Sequence, residues 1–124
     1  MNVQAYLKRI NYTQPLKADQ ATLFQLHQAH LYNVPFEDLN IHYKIPIILK
    51  EKELYQKIVA GNRGGFCYEL NGLFNELLKA IGFQTTIIAA KVINKEDKVG
   101  PSFDHAAIIV DLEKRWLVVQ DINP

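Results

Sequence analysis

Over the first two-thirds of the chain, apolar residues recur at helical spacing. Val3, Tyr6, Leu7 and Ile10 follow i, i+3, i+4, i+7, which predicts a short amphipathic helix over Asn2 to Ile10. Pro15 and Asp19 announce a second start, and Leu23, Phe24, Leu26, His27, His30 and Leu31 give that helix a broad apolar face until Pro35 stops it. Asn33 to Pro46, rich in Pro, Asn and acidic residues, reads as a loop with an apolar stretch around Ile41. A third helix is expected from near Leu49 to Ala60, with Leu54, Ile58 and Val59 inward and Gly61 as its C-terminal cap. The fourth is the clearest: Leu70, Leu73, Phe74, Leu77, Leu78 and Ile81 keep the 3.6-residue period, Cys67 stands where it begins and Gly82 closes it.

Beyond Gly82 the pattern changes to β-branched runs. Gln84 to Ile93, Phe103 to Leu112 and Arg115 to Asp121 read as strands, separated by a polar loop from Asn94 to Pro101 and a turn around Glu113. Helices first and strands after predict an α+β fold, with a helical region over 1–82 and antiparallel β strands over 83–124, not a doubly wound parallel sheet.

The 124 residues carry 14 Lys and Arg against 13 Asp and Glu, a net charge of 14 − 13 = +1, with 48% hydrophobic residues. That balance fits one globular domain able to bury roughly two-thirds of its surface. It excludes disorder and provides no field for nucleic acid, since Lys8-Arg9 and Lys114-Arg115 are only pairs. The run Ile45 to Leu49 is far short of a membrane helix, and no charged-then-apolar leader opens the chain, so a cytoplasmic protein without membrane partners is expected. The single cysteine forms no intramolecular disulfide and no metal cluster accompanies it.

Chemistry gathers in three places. The first is Arg63-Gly64-Gly65-Phe66-Cys67-Tyr68-Glu69-Leu70-Asn71. A cysteine at a helix N-terminus is stabilised as thiolate by unpaired N–H groups and the macrodipole, and the same N–H groups can hold an oxyanion. The paired glycines allow positive φ and close approach of a substrate carbonyl. A lone intracellular cysteine is more commonly a small buried hydrophobe, and it is the Arg-Gly-Gly context that shifts Cys67 toward a nucleophile. The second is His105, one imidazole in the apolar strand Phe103 to Val110, suited to be a general base for a thiol, although an isolated histidine at a strand end is more commonly hydrogen-bonded to backbone. His27, His30 and His42 read as structural, without a third ligand to make a metal site. The third is Asp121, ending the strand that begins at Arg115. A hairpin turning through Leu112, Glu113 and Lys114 opposes Asp111 to Arg115, Ile109 to Leu117, Ala107 to Val119 and His105 to Asp121. A shift of one residue sends Asp121 to the other face. Cys, His and Asp together support thiolate acyl transfer.

These segments, with Tyr6-Leu7-Lys8-Arg9-Ile10 and Val34-Pro35-Phe36-Glu37-Asp38-Leu39, resemble the arylamine N-acetyltransferases over nearly the whole chain. The resemblance implies a cysteine-protease-like core in which Cys67 takes an acetyl group from acetyl-coenzyme A, His105 and Asp121 complete a triad, and an arylamine, arylhydrazine or N-hydroxyarylamine accepts the acetyl group. No metal is implied. Phe36 and Phe66, beside the matched motifs, are candidate walls for the aromatic acceptor, and Arg63 and Glu69 are candidates for ion pairs that hold the loop. Members of the family are longer, and a Gly-Phe-Gly run is usual after their aspartate where this chain reads Asp121-Ile122-Asn123-Pro124. The expectation is therefore a truncated β region, weak or absent turnover, and self-association through exposed strand edges. Two alternatives stay open: a cysteine hydrolase using the same triad with water as acceptor, and a non-catalytic remnant binding aromatic ligands or its own copies.

Overall fold

In the computed structural model of the chain the described residues are 1–37, 50–90, 105–112 and 115–119, with Cys67 and His105 described by their backbone. Helix α1, Val3–Arg9, starts where the Asn2 side chain accepts the Ala5 N–H at 3.0 Å. Helix α2, Gln20–Asn33, starts at Asp19, whose carboxylate accepts the Thr22 N–H at 2.8 Å. That bond holds the Asp19 carboxyl below its ordinary range. Helix α3 begins as Glu51–Tyr55 and widens into a π turn over Gln56–Ala60. Helix α4 runs from Cys67 to Ile81 and ends at Gly82, whose φ of 122° only glycine adopts without strain. Gly61 does follow α3 as expected, but with φ of −83°; the left-handed residue is its neighbour Asn62, with φ of 54°. Glycine is needed at 61 because a Cβ there would lie 2.8 Å from the Lys57 carbonyl oxygen.

The hydrophobic core forms around α4. Leu73, Phe74, Leu77 and Leu78 are fully buried against Tyr6 of α1 and Ile10 just after it, Leu23 and Leu26 of α2 and Ile58 of α3. The broad apolar face read into α2 is narrower than expected. Leu23 and Leu26 are inside, whereas Phe24 is 53% and Leu31 44% exposed. His30 is buried and structural, its Nε2 2.8 Å from the Tyr6 hydroxyl and its ring 4.7 Å from that of Phe74. His42 lies outside the described residues.

Three strands, β1 (Gln84–Ala90), β2 (His105–Leu112) and β3 (Arg115–Val119), form an antiparallel sheet in chain order. This gives the α+β class expected from the sequence. Ile108 and Val110 of β2 face the core, with Ile87 and Thr85 of β1 directly opposite them.

The β2–β3 register differs from the sequence expectation by one residue. Leu112 opposes Arg115, Val110 opposes Leu117 and Ile108 opposes Val119, leaving positions 113 and 114 between the paired ends. A two-residue connection is the commonest hairpin, and this register turns Leu117 inward with Val110, where the expected one would have turned it outward with Ile109. The register expected to set His105 directly opposite Asp121 is therefore not the one found; Asp121 itself lies outside the described residues.

Candidate active site

Cys67 is the first residue of α4, and the chain enters it through an extended Phe66 with φ of −89° and ψ of 176°. The helical ladder begins at Leu70, whose N–H donates to the Phe66 carbonyl at 2.9 Å. The amides of Cys67, Tyr68 and Glu69 therefore take no part in that ladder and present the positive end of the helix at the cysteine.

Four charged side chains fix this helix start. The buried Glu69 carboxylate accepts the Phe66 N–H at 3.2 Å through Oε1. It also accepts Lys57 Nζ at 2.9 and 3.0 Å through its two oxygens. Lys57 Nζ in turn lies 3.8 Å from Glu37 Oε1. Glu37 accepts Arg63 Nε at 3.3 Å and pairs with Arg63 Nη2 as well. Arg63 and Glu69, read from the sequence as loop-holding ions, do hold it, each through a different partner. Lys57 carried no motif, and its only sequence signal was a cation next to the inward Ile58.

The glycines have another purpose than the one expected. Neither Gly64 nor Gly65 has positive φ; among the described glycines only Gly82 does. They admit close approach of the chain's own segments. Residues 35–37 lie alongside the loop, with the Gly65 N–H donating to Pro35 O at 3.3 Å and the Glu37 N–H to Gly65 O at 2.9 Å. A Cβ on Gly64 would sit 1.8 Å from the Pro35 oxygen, and one on Gly65 would sit 2.9 Å from Glu69 Cβ. Behind the loop, Arg9 donates to the carbonyls of Ile58 at 2.8 Å, Asn33 at 2.6 Å and Arg63 at 3.2 Å. One cation thus ties the ends of α2 and α3 to the segment leading into Cys67.

Burial raises the Glu37 carboxyl, but hydrogen bonding and attraction from Arg63, with Lys57 and the Gly64 amide, outweigh it and hold the group below its ordinary value. A carboxyl depressed in the folded state adds stability that is complete above its ordinary value of 4.5 and is lost as pH falls through the folded value. Denaturant unfolding is therefore expected to show wild type more stable than Glu37→Gln at neutral pH. The gap should close on acidification below about pH 4.5. A gap independent of pH would contradict this account.

Phe36 and Phe66 both lie at the loop that leads into Cys67. Phe36 bridges to Gly65 and is 38% exposed, and the Phe66 ring lies 6.0 Å from that of Tyr68. His105 begins β2 opposite Ala90, the last residue of β1. Only Gly82 and Phe83 join α4 to β1, and both β1 and β2 pack on α4, so β1 returns along the helix. The helix of 15 residues, about 22 Å, and the strand of seven, about 23 Å, are of similar length. Among the described residues no group of three His, Cys, Asp or Glu side chains can hold a metal ion, and no helix is long and apolar enough to cross a membrane.

Residues 19–120 match the sequence model of a family described as N-acetyltransferase. The chain belongs to the N-acetyltransferase family. The pineal gland arylamine N-acetyltransferase isozyme NAT-3 of Gallus gallus is 37% identical over 121 residues, 96% of this chain and 42% of that protein. The arylamine N-acetyltransferase structure from Salmonella typhimurium superposes with a TM-score of 0.89 at 32% identity, covering 95% of this chain and 43% of the other. That of Mycobacterium marinum in complex with CoA gives a TM-score of 0.83 at 28% identity, covering 96% of this chain and 45% of the other. The chain thus spans less than half the length of the N-acetyltransferases it matches.

Proposed function

We propose that the chain carries the nucleophilic half of an acetyl-transfer site, in which Cys67 takes the acetyl group of acetyl-coenzyme A and passes it to an arylamine, arylhydrazine or N-hydroxyarylamine. The observation that carries this reading is the position of Cys67 at the first turn of α4, with that turn clamped by Glu69, Lys57, Glu37 and Arg63. The N-acetyltransferase relatives and the CoA complex of the Mycobacterium marinum enzyme support the donor and acceptor classes.

The transfer runs in two steps. Cys67 thiolate adds to the acetyl thioester carbonyl, and the oxyanion so formed is held by the Cys67 backbone N–H. The carbon–sulfur bond to coenzyme A breaks, the leaving thiolate takes a proton from the imidazolium of His105, and Cys67 is left as an S-acetyl thioester. The acceptor amine then attacks that thioester, gives its proton to His105, and releases Cys67 as thiolate. Asp121 fixes the imidazole tautomer in this scheme, and Phe36 and Phe66 pack against the acceptor ring. The packing of β1 and β2 on α4, with His105 opening β2, supports the assignment of His105.

Intact-protein mass spectrometry after incubation with acetyl-coenzyme A is the test. The expected result is one acetyl group per chain, lost in Cys67→Ala and discharged by an added arylamine. A folded protein that acquires no acetyl group overturns the proposal, and an adduct that survives in Cys67→Ala overturns the choice of nucleophile.

A further inference from the structure

We propose that Lys57 is a positioning residue that sets the charge at the end of α4 where Cys67 stands, by neutralising Glu69 there. The inference rests on the reading of Cys67 as a reactive thiolate. It adds a residue outside the triad that governs how readily that thiolate forms.

The placement of the charges carries it. Glu69 is two residues beyond Cys67, and its carboxylate reaches back to the Phe66 N–H, one residue before the cysteine. The carboxylate thus lies beside the helix N-terminus that would otherwise favour a thiolate, and a negative charge there opposes a second one on sulfur. Glu69 is 3% exposed, so solvent screens it little. Lys57 offsets this from α3, its Nζ bonded to both carboxylate oxygens at 2.9 and 3.0 Å.

The other charges around this end fall into place about the same pair. Glu37, on the segment alongside the loop, is 3.8 Å from the lysine and is shared with Arg63 of the loop itself. Glu69, Glu37, Lys57 and Arg63 sum to zero, and His105 comes from β2. Removing the lysine takes one positive charge away and leaves the Glu69 carboxylate at the start of α4 without its cation, since Arg63 pairs with Glu37 and Arg9 donates to the Arg63 carbonyl behind the loop. A half-buried lysine between two carboxylates costs side-chain entropy and desolvation, which mere loop closure, already provided by the Arg63–Glu37 pair and the Phe36–Gly65 bridge, does not require.

Because Cys67 is the only cysteine, its alkylation by iodoacetamide followed against pH reads the thiolate directly, without donor or acceptor. In Lys57→Met the midpoint is expected to move up by roughly one pH unit. Lys57→Arg should stay near wild type, and Glu69→Gln placed in the Lys57→Met background should bring the midpoint back down. A Lys57→Met protein that keeps its circular dichroism and an unshifted midpoint overturns the proposal. Should Lys57→Met not fold, Glu69→Gln alone decides: a midpoint below wild type supports the proposal and an unchanged one overturns it. Shifted alkylation midpoints in a protein that takes no acetyl group would sink the transferase reading and leave the role of Lys57 standing.

Discussion

Gly64→Ala is expected to lower stability by about 3 kcal/mol or more, a loss near the top of the usual range for overpacking. The added methyl would lie 1.8 Å from the Pro35 carbonyl oxygen, 2.8 Å from its carbon and 3.0 Å from Pro35 Cγ. Two of these three atoms belong to the backbone, which no rotamer change moves aside. The 35–37 segment must therefore separate from the loop. The hydrogen bonds from Gly65 to Pro35 and from Glu37 to Gly65 go with it, and Glu37 is drawn off Arg63 and Lys57. For a chain of this size the thermal midpoint should drop by about 10 °C. Acetylation of Cys67 should fall further than stability alone explains, because the displaced parts are those holding the first turn of α4. A Gly64→Ala protein melting with wild type would show that the two segments are not in contact in solution.

Phe74→Ala is expected to cost about 3–5 kcal/mol, read from the shift of the urea unfolding midpoint. The ring is fully buried, 4.7 Å from His30 and 6.1 Å from His27, so its removal opens a cavity where α4 meets α2. Phe24→Ala on the outer side of α2 is the matched control. With 53% of that residue exposed, little apolar surface leaves water on folding, and an effect of roughly 0.5 kcal/mol or less is expected. Equal costs for the two substitutions would mean that α2 is packed the other way round.

That pair also shows where sequence patterning stops. Period and caps mark out α2 well, since Asp19 caps it and Pro35 follows its end. Yet Phe24 and Leu26 look alike in hydrophobicity, and only the approach of α4 and α1 decides that Leu26 is inside. The sheet behaves similarly. Three β-branched runs predict three antiparallel strands, and three are found among the described residues, but the register turns on whether the connection takes two residues or three. Val110 and Ile108 meeting the core with Leu117 settled it. At the site, Cys67 at a helix start and the Arg63 and Glu69 ion pairs were legible from the motif. Lys57 was not, because a lysine beside an inward isoleucine looks like any solvated cation until its partner is known. The glycine pair was legible as a need for space, but what fills that space was not.

The amino-acid sequence by itself determined the helices, the strands, their order and the thiol at the head of α4. The helices rest on interactions within a turn or two of chain, such as Asp19 with Thr22 or Glu69 with Phe66, and the strands on the local alternation of β-branched residues. Tertiary structure alone decided which face of α2 is buried, the β2–β3 register, and the joining of Arg9 to Ile58 and Arg63 across 49 and 54 residues. Such contacts follow from how elements pack, and no local pattern encodes the partner that packing will supply.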